Sequence, residues 1–392
     1  MKKTIAFLVT LSCCVYACKK DPGSTSNNEK PDFAKTILLS TIETDTPDKA
    51  ICLSAFDAQK ATIQWKKRGL GNVSVISPAY SNGIIYYSAD YANFQTNVFY
   101  YDLYASDAAT GSDVWSITKS PKPVGFATPI GDTLYCTGGG YITARDPRTG
   151  HEFWTTPNGT GIALYDDDFF YFFTYPSYTE TNLNAMDRVT KSIVWSLPVG
   201  INVYRGPSVI VEKQDYLYFT NGTGSLFCVN RLTGKPLWTV TGMDLASPVY
   251  GDDRIFCAAY GATGLYAFDA QSGTKKWQNE WYILDNPYFF DGTLSVAGAD
   301  PEYFIGSLRA ADGSIIWKQK TGLIYTGPVV TGNELYTLEA FNNPGGGHNI
   351  VVFDAESGLL KRKISFEADP QYQLGQLYII TSSDNYLFNN GY

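Results

Sequence analysis

Short apolar runs bounded by turn residues recur along the chain. IIYYSADY, TLYCTG, YLYFTNG, RIFCAAYG, ELYTLEAF and QLYIITSS have the length and the aromatic and β-branched content of strands. A shorter apolar lead-in precedes most of them: SPAYSNG, ATPIGD, GPSVIVEKQD, SPVYGDD, NPYFFDG and GPVVTGN. After each run but the last comes a second pattern, Ala-x-Asp-x-x-Thr-Gly-x-x-x-Trp, with losses in some copies. Its tryptophans are Trp65, Trp115, Trp154, Trp195, Trp238, Trp277 and Trp317, at intervals of 39 to 50 residues. An eighth, weaker copy has Arg362 in that place. Eight residues earlier stand Asp57, Asp107, Asp146, Asp187, Asn230, Asp269 and Asp354. The copy ending at Trp317 is short there, and Asp312-Gly313 takes over its turn.

Each part of the pattern has a physical role. Asp or Asn beside Thr-Gly closes a tight turn, its side chain accepting backbone N–H bonds while Gly takes a positive φ. A small Ala lets a neighbouring strand or ring lie close, and Trp is a large apolar plate. The lead-in, the apolar run and the two strands of the motif make four strands in about 42 residues, the period of a β-propeller blade. Eight lead-in strands, near Pro78, Pro129, Ala163, Pro207, Pro248, Pro287, Pro328 and Tyr372, predict an all-β fold. The expectation is an eight-bladed β-propeller of four-stranded antiparallel blades, closed by pairing of N- and C-terminal strands. The first motif lacks a lead-in and the last repeat stops early, so the two ends are complementary. One conflict stands: ICLSAFD and YLFNNG both read as third strands of the same blade.

Composition narrows the function. The 392 residues are 44% hydrophobic, 15% aromatic and 17% charged, which excludes a disordered chain. A net charge of −8 argues against nucleic acid as a partner. Two His residues leave little for a His-based metal site, and neither a metal nor a cofactor is expected. Cys52, Cys136, Cys228 and Cys257 sit in strand-like runs and read as buried thiols, with a Cys228–Cys257 bridge left open.

Residues 1–17 start with a basic Met-Lys-Lys and continue with a run too short to span a bilayer. They resemble a bacterial lipoprotein signal, with Cys18 as the lipidated residue; an ordinary cleaved secretory signal is the alternative. Residues 18–35 then form the anchor and a flexible tether, and residues 36–392 a single domain. The expected location is the cell envelope of a Gram-negative bacterium, on the outer membrane, with membrane contact through lipid alone.

The repeat is similar to the tryptophan-docking motif of the quinoprotein-type, or PQQ-like, propellers. One branch of that family, the quinone-dependent dehydrogenases, implies a quinone, Ca²⁺ and often a vicinal disulfide. The only adjacent cysteines here lie in the leader, and no segment matches the cofactor pocket. The other branch is that of the outer-membrane assembly factor BamB. It implies a non-catalytic, lipid-anchored scaffold that binds protein through loops leading into innermost strands. The corresponding residues here are Arg205, before Gly-Pro, and Asp244. A second reading uses an aromatic loop rim, Tyr91, Phe94, Tyr178, Trp281, Tyr282 and Tyr325, to bind a glycan or another small ligand. Trp281 is the only Trp outside the repeat position. No Ser-His-Asp or metal-ligand arrangement is legible, so no catalytic residue is assigned.

Overall fold

The computed structural model describes residues 36–389 except 44–50, 58–61, 69, 71–73, 94–95, 97, 121–123, 125, 139–140, 158–161, 178–179, 201–210, 222, 260–263, 300, 325–326, 341–347, 367–371 and 381–386. The leader, Cys18 and the tether lie outside these residues, as do Phe94, Tyr178, Arg205 and Tyr325.

The described residues form eight separate antiparallel sheets. The second to fourth span Ser74–Ser120, Phe126–Pro157 and Ile162–Gly200, and the fifth to seventh Val211–Val240, Val249–Asn279 and Tyr288–Lys320. The eighth runs from Leu323 to Phe366. The first is built from both ends of the chain, Thr36–Glu43, Ile51–Asp57 and Thr62–Lys67 with Tyr372–Ile380 and Leu387–Asn389.

The expectation of eight four-stranded blades closed into a propeller is thereby corrected. Six sheets have four strands and two have five, and none curls into a closed barrel or propeller. In the first sheet the extra strand is Thr36–Glu43, which pairs on one side with Ile51–Asp57 and on the other with Tyr372–Ile380. It separates the two segments that competed for one position, so ICLSAFD and YLFNNG occupy opposite sides of one sheet. In the eighth sheet the lead-in breaks into two short strands, Leu323–Ile324 and Val329–Thr331, both against Glu334–Ala340.

The described strands fall into two compact units, divided along the chain between Ile162 and Ala163. One holds the first three sheets and the C-terminal strands; the other holds the fourth to eighth. Within each unit, facing sheets share apolar clusters. Phe256, Ala258, Leu265 and Ala267 of the sixth sheet, for example, pack with Leu294, Val296, Phe304 and Leu308 of the seventh.

The repeat motif builds these contacts directly. Asp107 accepts the N–H of Ala109 and of Thr110 and the Thr110 hydroxyl, at 3.1, 2.9 and 2.9 Å. Gly111 follows at φ +71°. Asp146, Asp187, Asn230, Asp269 and Asp354 close their turns in the same manner. In the short copy Asp312 accepts the N–H of Ser314 at 2.9 Å. The Trp of the preceding sheet then covers the turn. Trp65 lies on Gly111, Trp115 on Gly150, Trp195 on Gly234, Trp238 on Gly273, Trp277 on Gly313 and Trp317 on Gly358. Each indole N–H donates to a carbonyl of the turn it covers, at Ala108, Pro147, Arg231, Ala270, Ala310 and Ala355, over 2.8–3.1 Å. The small residue of the motif is the cross-strand neighbour of the Trp: Ala55 faces Trp65, Ala105 Trp115, Ala144 Trp154, Ala185 Trp195 and Ala267 Trp277. A larger side chain there would crowd the indole.

Arg362 fills the Trp position by different chemistry. It donates in a fork to both oxygens of Glu334, at 2.8 and 3.1 Å, a bidentate pair that holds the strand by charge. Among the described residues, Cys52, Cys136, Cys228 and Cys257 are buried and none is in a disulfide. Burial pushes the thiols of Cys136 and Cys228 up to about 12, so they are inert as nucleophiles.

Candidate functional site

In the unit from Ala163 onward, the described residues of the loops at 241–248, 280–287 and 321–328, each leading into an innermost strand, share one construction. Each lies against the hairpin of the preceding sheet, then bonds to the end of its own sheet's second strand, and only then starts the innermost strand.

The sixth sheet's loop, residues 241–248, shows this first. The Leu245 N–H donates to the carbonyl of Gly224, in the hairpin turn of the fifth sheet, at 3.0 Å, and the Ala246 N–H donates to Ala258 at 2.8 Å. Gly224, at φ +70°, lies so close that an added Cβ would meet the Asp244 Cα at 2.5 Å. Only glycine fits that approach. The same contact leaves Asp244 itself exposed.

The seventh sheet's loop, residues 280–287, repeats the pattern. The Gly264 N–H donates to the Trp281 carbonyl at 3.0 Å, Leu284 donates to Ala297 at 2.9 Å, and Ala299 donates to Tyr282 at 3.0 Å. Trp281 points inward and is only 8% exposed. Its ring meets Phe304 edge-on with centroids 4.8 Å apart, presses on Gly306 and carries the Lys318 ammonium 5.0 Å above it. Trp281 is therefore an anchor for the loop and no open aromatic platform. The reason is local: Gly306 lacks the side chain that would otherwise fill this space.

In the eighth sheet's loop, residues 321–328, Thr321 donates its N–H to the Tyr303 carbonyl at 2.9 Å, Leu323–Ile324 pairs with the second strand, and two carboxylates add further bonds. The Gly322 N–H donates to Oε1 of Glu339 at 2.5 Å, and the Gly327 N–H donates to Oδ2 of Asp285 at 3.0 Å. Neither acid was singled out in the sequence. Asp285 carries a usable signal, because Asp-Asn-Pro precedes an innermost strand as Gly-Pro and Ser-Pro do elsewhere. Glu339 lies inside an apolar run, where nothing marks it.

The two acids sit in different fields. Burial raises the carboxyl of Asp285, opposed by the N–H groups of Asn286 and Gly327. Burial also pulls Glu339 upward, but the Lys363 ammonium at 2.7 Å, the Gly322 N–H and Asn349 outweigh it and leave Glu339 below its ordinary value.

Of the sequence-nominated residues, Asp244, Trp281 and Tyr282 thus lie on neighbouring loops of one unit, with Trp281 turned inward and Tyr282 half-buried. Tyr91 belongs to the second sheet, in the other unit, where its ring stacks on Tyr100 at 4.3 Å. Among the described residues no group of three or more His, Cys, Asp or Glu could hold a metal ion. No described helix is long and apolar enough to cross a membrane.

Comparison with known proteins places this architecture. A family model described as outer membrane protein assembly factor BamB matches residues 44–162 and 138–286. The assembly factor BamB of Burkholderia pseudomallei (strain K96243) is 24% identical over 243 residues, 59% of this chain and 54% of that protein. The tetrathionate hydrolase of Acidithiobacillus ferrooxidans is 21% identical over 358 residues, 81% of this chain and 64% of that protein. The chain thus spans less than two thirds of the length of either curated relative. The crystal structure of BamB from Moraxella catarrhalis superposes with a TM-score of 0.55 at 19% identity, covering 78% of this chain and 97% of that one; at that identity the likeness concerns fold. Because the family model covers more than half of the sequence, the chain belongs to the family of outer membrane protein assembly factor BamB, with its PQQ-type β-propeller repeat.

Proposed function

We propose that this chain is a non-catalytic scaffold of the bacterial envelope that docks a protein partner through the loops leading into its innermost strands. The observation that carries the reading is the family match along residues 44–286, combined with the common construction of the loops at 241–248, 280–287 and 321–328. Buried anchors and backbone bonds hold these loops rigid, which lowers the ordering cost of association. Asp244 stands exposed at the first of them, and Arg205 belongs to the corresponding loop one repeat earlier. The partner is expected to come from outer membrane protein assembly, as the name of the family states. The glycan reading loses its principal platform, since Trp281 is buried. One relative is a hydrolase, so the non-catalytic reading rests on the family and on the loops.

Lipid attachment at Cys18, an outer-membrane address and one domain over residues 36–392 complete the proposal. Two measurements test it. Cross-linking and co-purification of the native protein should recover outer-membrane assembly components, and Asp244→Arg should weaken that recovery without changing the melting temperature. Full recovery with Asp244→Arg would remove the loops from the interface; recovery of no assembly component would remove the scaffold reading. Cys18→Ala should move the protein from the membrane to the soluble fraction, and unchanged membrane association would refute the anchor.

A further inference from the structure

The eighth sheet's lead-in loop is held by two carboxylates from different elements. Glu339, on the second strand of the same sheet, accepts the Gly322 N–H. Asp285, on the neighbouring loop, accepts the Gly327 N–H through Oδ2 at 3.0 Å and the Asn286 N–H through Oδ1 at 2.7 Å. Both oxygens of Asp285 therefore face donors. An ionised carboxylate accepts strongly on both sides; protonation turns one oxygen into a hydroxyl that donates and accepts only weakly, and an amide puts an NH₂ donor there. Neutralising Asp285 sets a donor against a donor or empties one of the two bonds.

We propose that ionised Asp285 is a latch joining the lead-in loops of the seventh and eighth sheets, and that its neutralisation breaks the Gly327 N–H bond while the Glu339–Gly322 bond stays in place. The two acids are set up for this difference. Burial shifts Asp285 toward the protonated form, whereas Lys363, Gly322 and Asn349 hold Glu339 ionised. The other titratable groups on the elements that meet there are Glu280 and Tyr282 on the same loop, Tyr288 on the following strand, and Lys363 behind Glu339. None of them is among the influences that move Asp285, which are burial and the two N–H donors. Falling pH therefore opens the Gly327 bond before it touches the Gly322 bond. Gly327 lies two residues before the strand Val329–Thr331, at the loops assigned to docking, but the latch does not depend on that assignment.

Amide hydrogen exchange on the full chain, corrected for intrinsic rates, tests the latch. A bond to an ionised group contributes enough that its loss should lower protection at Gly327 about tenfold or more. Asp285→Asn should show this at pH 7 with Gly322 unchanged, and Glu339→Gln should show the reverse. Wild type should lose protection at Gly327 between pH 7 and pH 4, and Asp285→Asn should show no such pH dependence. Equal Gly327 protection in wild type and Asp285→Asn at pH 7, or the same pH dependence in both, overturns the latch. If Asp285→Asn does not fold, the wild-type titration decides alone, and flat protection at Gly327 across that range overturns the proposal.

Discussion

At the scale of single residues, the motif works because a glycine and an indole occupy one space. The Gly273 position, at φ +69°, would place a Cβ 2.7 Å from the Trp238 ring. Gly332, at φ +58°, has nothing within 4 Å. The two alanine substitutions therefore separate backbone strain from ring contact. Gly332→Ala should cost about 1–2 kcal/mol from left-handed strain alone. Gly273→Ala should cost about 2–4 kcal/mol, because overpacking adds to the strain. Urea denaturation measures both, and equal losses would show that the ring contact contributes nothing. The turn acids make a second residue-scale expectation. Asp269 is lowered to about 2 by the Lys276 ammonium and by the N–H and hydroxyl of Ser272. Asp354 is lowered to about 2 by the N–H and hydroxyl of Ser357 and by Lys361. A carboxyl depressed in the folded state stabilises it fully above its unfolded value of about 3.9, and that contribution disappears as pH falls through the folded value. Melting temperature should thus fall between pH 4 and pH 2, and Asp269→Asn should flatten part of that fall. An identical profile in the variant would show that the turn carboxylate is not linked to folding.

At the scale of elements, strands and turns were legible because each is a local pattern. The Asp-x-x-Thr-Gly turn needs only its own few residues to satisfy its hydrogen bonds, and it appears where the pattern places it. The loops were not legible in the same way. Trp281 stood out as the Trp outside the repeat and suggested an exposed rim, yet it sits against Phe304 and Gly306. Gly306 is 25 residues away, and nothing local says that the two meet. Asp285 and Glu339 acquire their roles by the same kind of distant meeting, with Gly327 and Gly322. Trp281→Ala should therefore behave as a core deletion, costing about 3–5 kcal/mol. Calorimetry checks this, and an unchanged melting temperature would return Trp281 to the surface.

At the scale of the whole molecule, the first sheet depends on chain ends more than 300 residues apart. Ending the chain after Phe366 removes Tyr372–Ile380 and leaves one edge of Thr36–Glu43 without its partner. An unpaired edge strand is a template for association. The shortened chain should melt earlier and form concentration-dependent aggregates in light scattering; a monomer of unchanged stability would show that the pairing contributes little. The Asp-turn, the glycine at positive φ, the tryptophan period and the all-β class were determined by sequence alone, because each depends on neighbours within one repeat. Tertiary structure decided how many strands each sheet holds, that Thr36–Glu43 separates the two competing end segments, and that Trp281 turns inward while Asp244 stays exposed. These outcomes depend on which surfaces meet across tens to hundreds of residues, where steric fit and the pairing of buried N–H groups select among partners that look equivalent along the chain.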